Sequence, residues 1–318
     1  MLSHGKFYTI AHFFTDKVDD YWHILYPVLS KEKREEDKYL YFLDLSRKAL
    51  DYNGELSNSG VYQFLGYDGD YYAHPLEIAQ YGLASWLAWR KSGDEQWIEN
   101  ALNQCNWLIE NQEESGAWYM MHKNPLDHDL PLPWVSGMAN GLAISALVRA
   151  YWYTDDKKYL VSAKKAYSFL ELDVKEGGVK RYFDNDLYIY EESVKPQLEG
   201  ILNGHLFSLF GIYDLSKELE DCKVSFLDNI QNLKKILPKF DMGYWSYYCM
   251  AGEIASGFYH RLVIFQLQSL VEYDRYFLEF ATKMQRYADK KFYAFRALVA
   301  KMRHRSQKLK EIKKAEYA

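Results

Sequence analysis

One unit recurs along this chain, and its recurrence limits the fold more than any single motif. The stretch opened at Gly82, YGLASWLAWRKSGDEQWIENALNQCNWLIEN, returns at Gly141 as NGLAISALVRAYWYTDDKKYLVSAKKAYSFL and at Gly204 as NGHLFSLFGIYDLSKELEDCKVSFLDNIQNL, at spacings of 59 and 63 residues. A less regular fourth copy begins near Tyr259 with YHRLVIFQLQSLVEYDRYFLEFATKMQRYAD. In the first copy, Glu95–Gln112 places Trp97, Ala101, Cys105, Leu108 and Ile109 on one face at helical spacing. The preceding Pro75–Lys91 is apolar on more than one face, the mark of a helix covered on several sides. The two form a helical hairpin turning at Ser92–Asp94. Four such hairpins imply a mainly α fold of the incomplete α/α-toroid type, with apolar first helices inside and amphipathic second helices outside.

The connectors that return from each outer helix to the next inner one are long and aromatic: GVYQFLGYDGDYYAHP, ESGAWYMMHKNPLDHDLPLPWVSG, KEGGVKRYFDNDLYIYEESVKPQLEG and FDMGYWSYYCMAGEIASGF. In such a ring they all emerge where the inner helices begin, so they build one cleft, with β-hairpins among them. Loops of this length in a compact domain usually carry function. Aromatic residues make up 17% of the chain, with 29 Tyr and 9 Trp, and their flat faces suit sugar rings as well as cores. Converging helix amino termini favour a bound carboxylate through their dipoles and free N–H groups.

The formal charge of −5 gives no whole-molecule attraction to nucleic acid, so an anionic ligand needs a local patch. Cys105, Cys222 and Cys249 are odd in number and far apart, which reads as free buried thiols. The start carries Asp16, Lys17, Asp19 and Asp20 where a secretory signal would be apolar, and no long apolar window follows; a cytoplasmic protein is the expectation. Residues 1–74 read as an arm: polar and helix-like to about Asp37, then KYLYFLDLSRKALDY, whose β-rich start suggests a strand or hairpin, then an Asn53-Gly54 turn. Residues 75–290 are the ring, and 291–318 a basic terminal helix or tail. Its last eighteen residues hold seven Lys or Arg against two Glu, which fits either a solvated helix or contact with an anionic surface.

The strings HPLEIAQYGL (74–83), WVSGMANGLAISALVRAY (134–151), LNGHLFSLFGIYDL (202–215) and YHRLVIFQLQSL (259–270), with the entry segment YLYFLDLSRKALDYNGELSNSGV, resemble the catalytic carboxy-terminal domain of the D-glucuronyl 5-epimerases. The resemblance implies an α/α barrel, a homodimer, a uronate-containing polysaccharide as substrate, and inversion of the fifth ring carbon without a cofactor. That reaction removes a proton beside a carboxylate and returns one to the opposite face, so it needs two acid/base groups and a means of neutralising charge.

The resemblance assigns those roles to Tyr259, at the start of the YH helix, and to Glu192, before the LNG string. The tyrosine that follows the family's glutamate is Ser193 here, and no arginine stands in Tyr244–Gly257 where the family has its carboxylate-binding one. Arg181 and Arg261 are the candidates to replace it, since guanidinium pairs with carboxylate bidentately. Tyr190 is a candidate phenol, though in extended chain it shares a face with Glu192 rather than with Ser193. His74, Tyr72, Trp134, Asn203, His205 and His260 complete the substrate-binding candidates, each with core packing or helix capping as its plainer alternative. Glu191 and Glu192 have the plain alternative of solvated loop acids. His122, Asp127, His128 and Asp129 match no compact metal spacing. The same proton abstraction keeps open a lyase using the same cleft, and the two departures keep open an inactive glycan-binding relative.

Overall fold

The computed structural model describes residues 10–15, 30–66, 68–122, 129–184 and 186–316, and the protein is mainly α-helical. Among the described residues, the short helices α1 (Lys31–Glu36) and α2 (Ser46–Leu50) precede four longer pairs. These are α3 (Pro75–Ser92) with α4 (Gln96–Glu110), α5 (Gly137–Thr154) with α6 (Lys157–Glu171), α7 (Leu202–Leu215) with α8 (Glu220–Ile236), and α9 (Gly257–Gln268) with α10 (Tyr276–Asp289). Helix α11 (Lys291–Glu316) ends the chain. Two small antiparallel hairpins sit in connectors: β1 (Phe64–Leu65) with β2 (Tyr71–Tyr72), and β3 (Lys180–Phe183) with β4 (Leu187–Tyr190). The polar stretch expected to be helical before Asp37 lies largely outside the described residues, with α1 its described end.

First helices pack side by side in chain order, α3 on α5, α5 on α7 and α7 on α9, and each second helix covers its own first. Burial follows the sequence pattern. Every residue of α7 and the run Gly137–Ala150 of α5 are buried, whereas α6 buries Tyr159, Ser162, Ala163, Ala166, Phe169 and Leu170 at spacings of three and four and turns its lysines outward. The turn at Ser92–Asp94 forms as the hairpin pattern requires, with Gly93 at φ 73°.

The repeated glycines have a steric reason. A Cβ on Gly141 would lie 2.5 Å from the Phe207 carbonyl oxygen, and one on Gly211 would lie 2.4 Å from the Gly141 carbonyl oxygen. Helices α5 and α7 therefore touch backbone to backbone, an approach that only glycine permits.

At the carboxy-terminal ends of these helices the arm is bound tightly. Arg149, 1% exposed, donates to Asp214 at 2.7 Å, to the carbonyls of Tyr39 (3.0 Å) and Leu40 (2.6 Å), and to that of Ser145 (2.8 Å). Phe42 stacks on Phe210 with centroids 4.0 Å apart, and Tyr39 packs against Trp86 and Trp89. At the other end, in the first turns of α3, Lys48 forms a buried ion pair with Glu77 and donates to Gln80 at 2.7 Å. The strand or hairpin expected at the start of KYLYFLDLSRKALDY is thus replaced by an irregular segment of turns and bends leading into α2. Tyr41, Phe42, Leu43 and Leu45 are all buried, so no face remains for strand alternation, and the guanidinium of Arg149 takes carbonyls that a partner strand would have taken.

Candidate active site

The connectors do gather at the amino-terminal ends of α3, α5, α7 and α9. His74 precedes Pro75, Ser136 caps α5 by accepting from Ala139 N–H at 3.1 Å, and Ser256 caps α9 by accepting from Tyr259 N–H at 3.3 Å. Helix α7 has no side-chain cap; the N–H of Leu202 bonds instead to the carbonyl of Tyr248 at 3.3 Å, next to a bridge between Ile201 and Cys249. That pairing brings the connector before α9 against the start of α7.

Glu192 sits at this junction. Its carboxylate accepts from Asn203 Nδ2 at 3.2 Å, and burial, then the neighbouring Glu199, push its pKa up to about 8. Gly204 makes the room: a Cβ there would stand 2.6 Å from Glu192 Oε2. Tyr248 belongs to the same group. Its phenol is held far above its ordinary range by burial and then by Glu192, Tyr259 and Glu199, and its ring lies 4.8 Å from that of Tyr259. Glu192, Tyr248 and Tyr259 therefore form one cluster of a carboxyl and two phenols, with Asn203 beneath it.

The adjoining loop is tied to its neighbours. Glu191 is wholly buried, not a solvated loop acid. It accepts from Arg181 Nε at 2.6 Å, from Gly200 N–H at 2.8 Å and from Glu199 N–H at 3.3 Å. Ser193 donates to Glu199 at 2.9 Å, and Lys195 pairs with Glu199 at 2.8 Å. Lys195 is the cation that acts on Glu192, favouring its charged form.

Several expected cleft residues sit elsewhere. Arg181 is committed to Glu191 and to the Lys195 carbonyl, and Arg261 reaches back to the carbonyls of His12 and Gly257. His260 is a core residue, stacked on Trp245 at 3.8 Å with its two nitrogens against Ser246 Oγ (2.7 Å) and the Met284 carbonyl (3.0 Å). Its burial drives its pKa down to about 3. Tyr190 turns its hydroxyl toward the outer helices, donating to Glu171 at 2.7 Å and accepting from Asn229 at 3.1 Å. His205, also buried, accepts the Tyr190 N–H at 3.1 Å. Of the substrate-binding candidates on this side, Asn203 is the one that touches Glu192.

A second group lies at the start of α3. His74 and His122 face each other at 4.4 Å, enclosed by Phe64, Tyr72 and Trp134, whose indole N–H donates to the His122 carbonyl at 3.3 Å. Burial lowers both imidazole pKa values, so they stay uncharged near neutrality. Tyr72 donates to Asp68 at 2.5 Å. Among the described residues no three His, Cys, Asp or Glu side chains converge to hold a metal ion; Asp127 and His128 lie outside them.

Tyr248, Lys195 and Glu199 are the neighbours of Glu192 that sequence reasoning passed over. The available signal for Tyr248 was its place in YWSYYCM, the tyrosine-rich connector directly before the YH helix.

Comparison with known proteins identifies the family. Residues 110–288 match the family described as D-glucuronyl C5-epimerase C-terminus. The chain is 30% identical over 188 residues to the D-glucuronyl C5-epimerase of Caenorhabditis elegans, a stretch that covers 52% of this chain and 30% of that protein. It is 24% identical over 197 residues to an uncharacterized protein of Methanocaldococcus jannaschii, covering 57% of this chain and 63% of the other. The chain thus spans less than a third of the nematode protein and under two thirds of the archaeal one. Among solved structures, an unsaturated glucuronyl hydrolase from Streptococcus agalactiae is similar at a TM-score of 0.48 and 14% identity, over 66% of this chain and 57% of that one. With more than half of its residues inside the family match, the chain belongs to the D-glucuronyl C5-epimerase C-terminal family.

Proposed function

We propose that the protein is a uronyl 5-epimerase acting on a glucuronate-containing polysaccharide or its precursor, within an α/α toroid formed by residues 75–290. The observation that carries this reading is the cluster of Glu192, Tyr248 and Tyr259 at the mouth of the inner helices. A carboxyl group raised to about 8 is a far stronger base, once ionised, than an ordinary glutamate, and it is poised to exchange its proton near neutral pH. Tyr259 is the opposed acid that returns a proton to the other face of the sugar. Tyr248, whose phenol is kept protonated, supplies the hydroxyl that Ser193 cannot, and hydrogen-bonds the charge developing on the substrate carboxylate. With Arg181 and Arg261 engaged by other groups, Lys195, itself paired with Glu199, and the amino-terminal end of α7 are positive features near Glu192 that offset that charge. The aromatic wall of Tyr72, His74 and Trp134 then holds a neighbouring sugar of the polymer.

The test is incubation of the protein with a glucuronate polymer in heavy water. Deuterium at the fifth carbon together with iduronate is the expected result, and loss of both in Tyr259→Phe assigns the acid. Absence of exchange with any uronate polymer that the protein binds would sink the reading in favour of an inactive glycan-binding relative. A rise in absorbance near ~230 nm, from an unsaturated sugar, would show that proton abstraction is followed by elimination instead.

A further inference from the structure

The final helix has a face that the fold does not use. α11 packs on α10 through buried Ala294 and Ala297, and Lys301 reaches the Ile254 carbonyl at 2.5 Å. On the opposite side Phe292 is 71% exposed, Phe295 58% and Met302 60%. With half-buried Val299 they recur at spacings of three, four and three residues, which is one continuous ridge on a helix. Helical geometry places exposed Arg303, with Arg296 stacked over the Tyr244 ring at 3.8 Å, along one flank of that ridge and exposed Lys291 and Arg305 along the other. Residues 291–310 contain seven Lys or Arg and no Asp or Glu, in a chain whose net charge is −5. No helix among the described residues is long and apolar enough to cross a membrane.

We propose that α11 is an interfacial membrane-binding helix that seats the protein on an anionic lipid surface, with Phe292, Phe295 and Met302 entering the acyl boundary and the flanking cations meeting lipid headgroups. An apolar ridge with cations on both sides, backed by a folded body, is the pattern that such helices share. Two other occupants fit less well. Acidic glycans are gripped in concave sites by cations and stacked rings, whereas this ridge is convex. A second copy docked on the ridge about a two-fold axis would bring its own cationic flanks against these, at a repulsive cost. The inference does not depend on the reaction proposed for the cleft.

The experiment is co-sedimentation of the full chain with phosphatidylcholine vesicles, with and without about one third phosphatidylserine. Binding is expected only to the anionic vesicles, and it should fall as salt is added. The double substitution Phe292→Ser/Phe295→Ser, at exposed positions that leave thermal melting unchanged, should weaken binding by roughly tenfold or more. Arg303→Glu/Arg305→Glu should weaken it by a similar factor. The proposal fails if the chain ignores anionic vesicles. It fails if the phenylalanine pair leaves vesicle binding intact while a soluble glucuronate polymer competes it away. It also fails if sedimentation shows a dimer that the same pair dissolves.

Discussion

The two ends of helix α7 handle a buried carboxylate in opposite ways. At the carboxy-terminal end, Asp214 meets the guanidinium of Arg149, which also binds three backbone carbonyls, so the charge is matched by a cation and held rigidly. At the amino-terminal end, Glu192 has Asn203 for a hydrogen-bond donor, Glu199 as an unfavourable neighbour and Lys195 as a partial offset. The first arrangement locks a side chain in place, and the second leaves a carboxyl group able to exchange its proton. One helix thus carries a structural charge and a chemical one, separated by its own length.

The comparison breaks first if Glu192→Gln keeps its activity. Removing the base should slow deuterium exchange at the fifth carbon by on the order of a thousandfold, with a melting temperature equal to or above that of the parent, because an under-compensated buried carboxyl is a burden on the fold. At the other end, Arg149→Met should cost roughly 3–5 kcal/mol in urea unfolding, since Asp214 is left buried without its cation; unchanged stability would mean that the arm, not the ion pair, seals that end. Gly204→Ala lies between the two effects. The added methyl must displace the Glu192 carboxylate, so turnover should drop by roughly ten- to a hundredfold with little change in global stability.

The smallest effect concerns pH. The carboxyl of Glu192 is raised from its ordinary 4.5 to about 8, so across that window the folded chain keeps a proton that the unfolded chain has released. Its contribution to stability is therefore present below about 4.5 and is lost as pH rises through about 8. Unfolding free energies of the parent and Glu192→Gln, from urea titrations, should diverge by on the order of 1–2 kcal/mol between about pH 5 and 9, in favour of the variant at high pH, allowing for solvent that still reaches the group.

The helical hairpins were legible because a period of apolar residues and recurrent glycines reports directly on packing; Gly141 and Gly211 mark the place where two backbones touch. The gathering of connectors at one end followed from that repeat. The stretch leading into α2 was misread, because Tyr41, Phe42, Leu43 and Leu45 are all buried and the carbonyls of Tyr39 and Leu40 are taken by Arg149, a partner some 110 residues away that no local pattern announces. The site was half legible for the same reason. Glu192 and Tyr259 stand in recognisable strings, whereas Tyr248 acquires its neighbours through a bridge to Ile201 that only the folded chain makes. Charge counting also overstated Arg181 and Arg261, since a sequence shows that a guanidinium exists but not which carbonyl or carboxylate has already engaged it.

The grip of Arg261 on the His12 carbonyl has a consequence for how the chain is made. These residues are 249 positions apart, and Arg149 reaches Tyr39 across 110. A ribosome therefore releases the amino-terminal segment long before its binding partners exist, and the early aromatic stretch Tyr39–Leu45 must wait, unburied, until α5 and then α7 have emerged. Synthesis is vectorial, but closure of this protein is not: the stretch Tyr39–Leu45 is translated well before the helices that lock it in place.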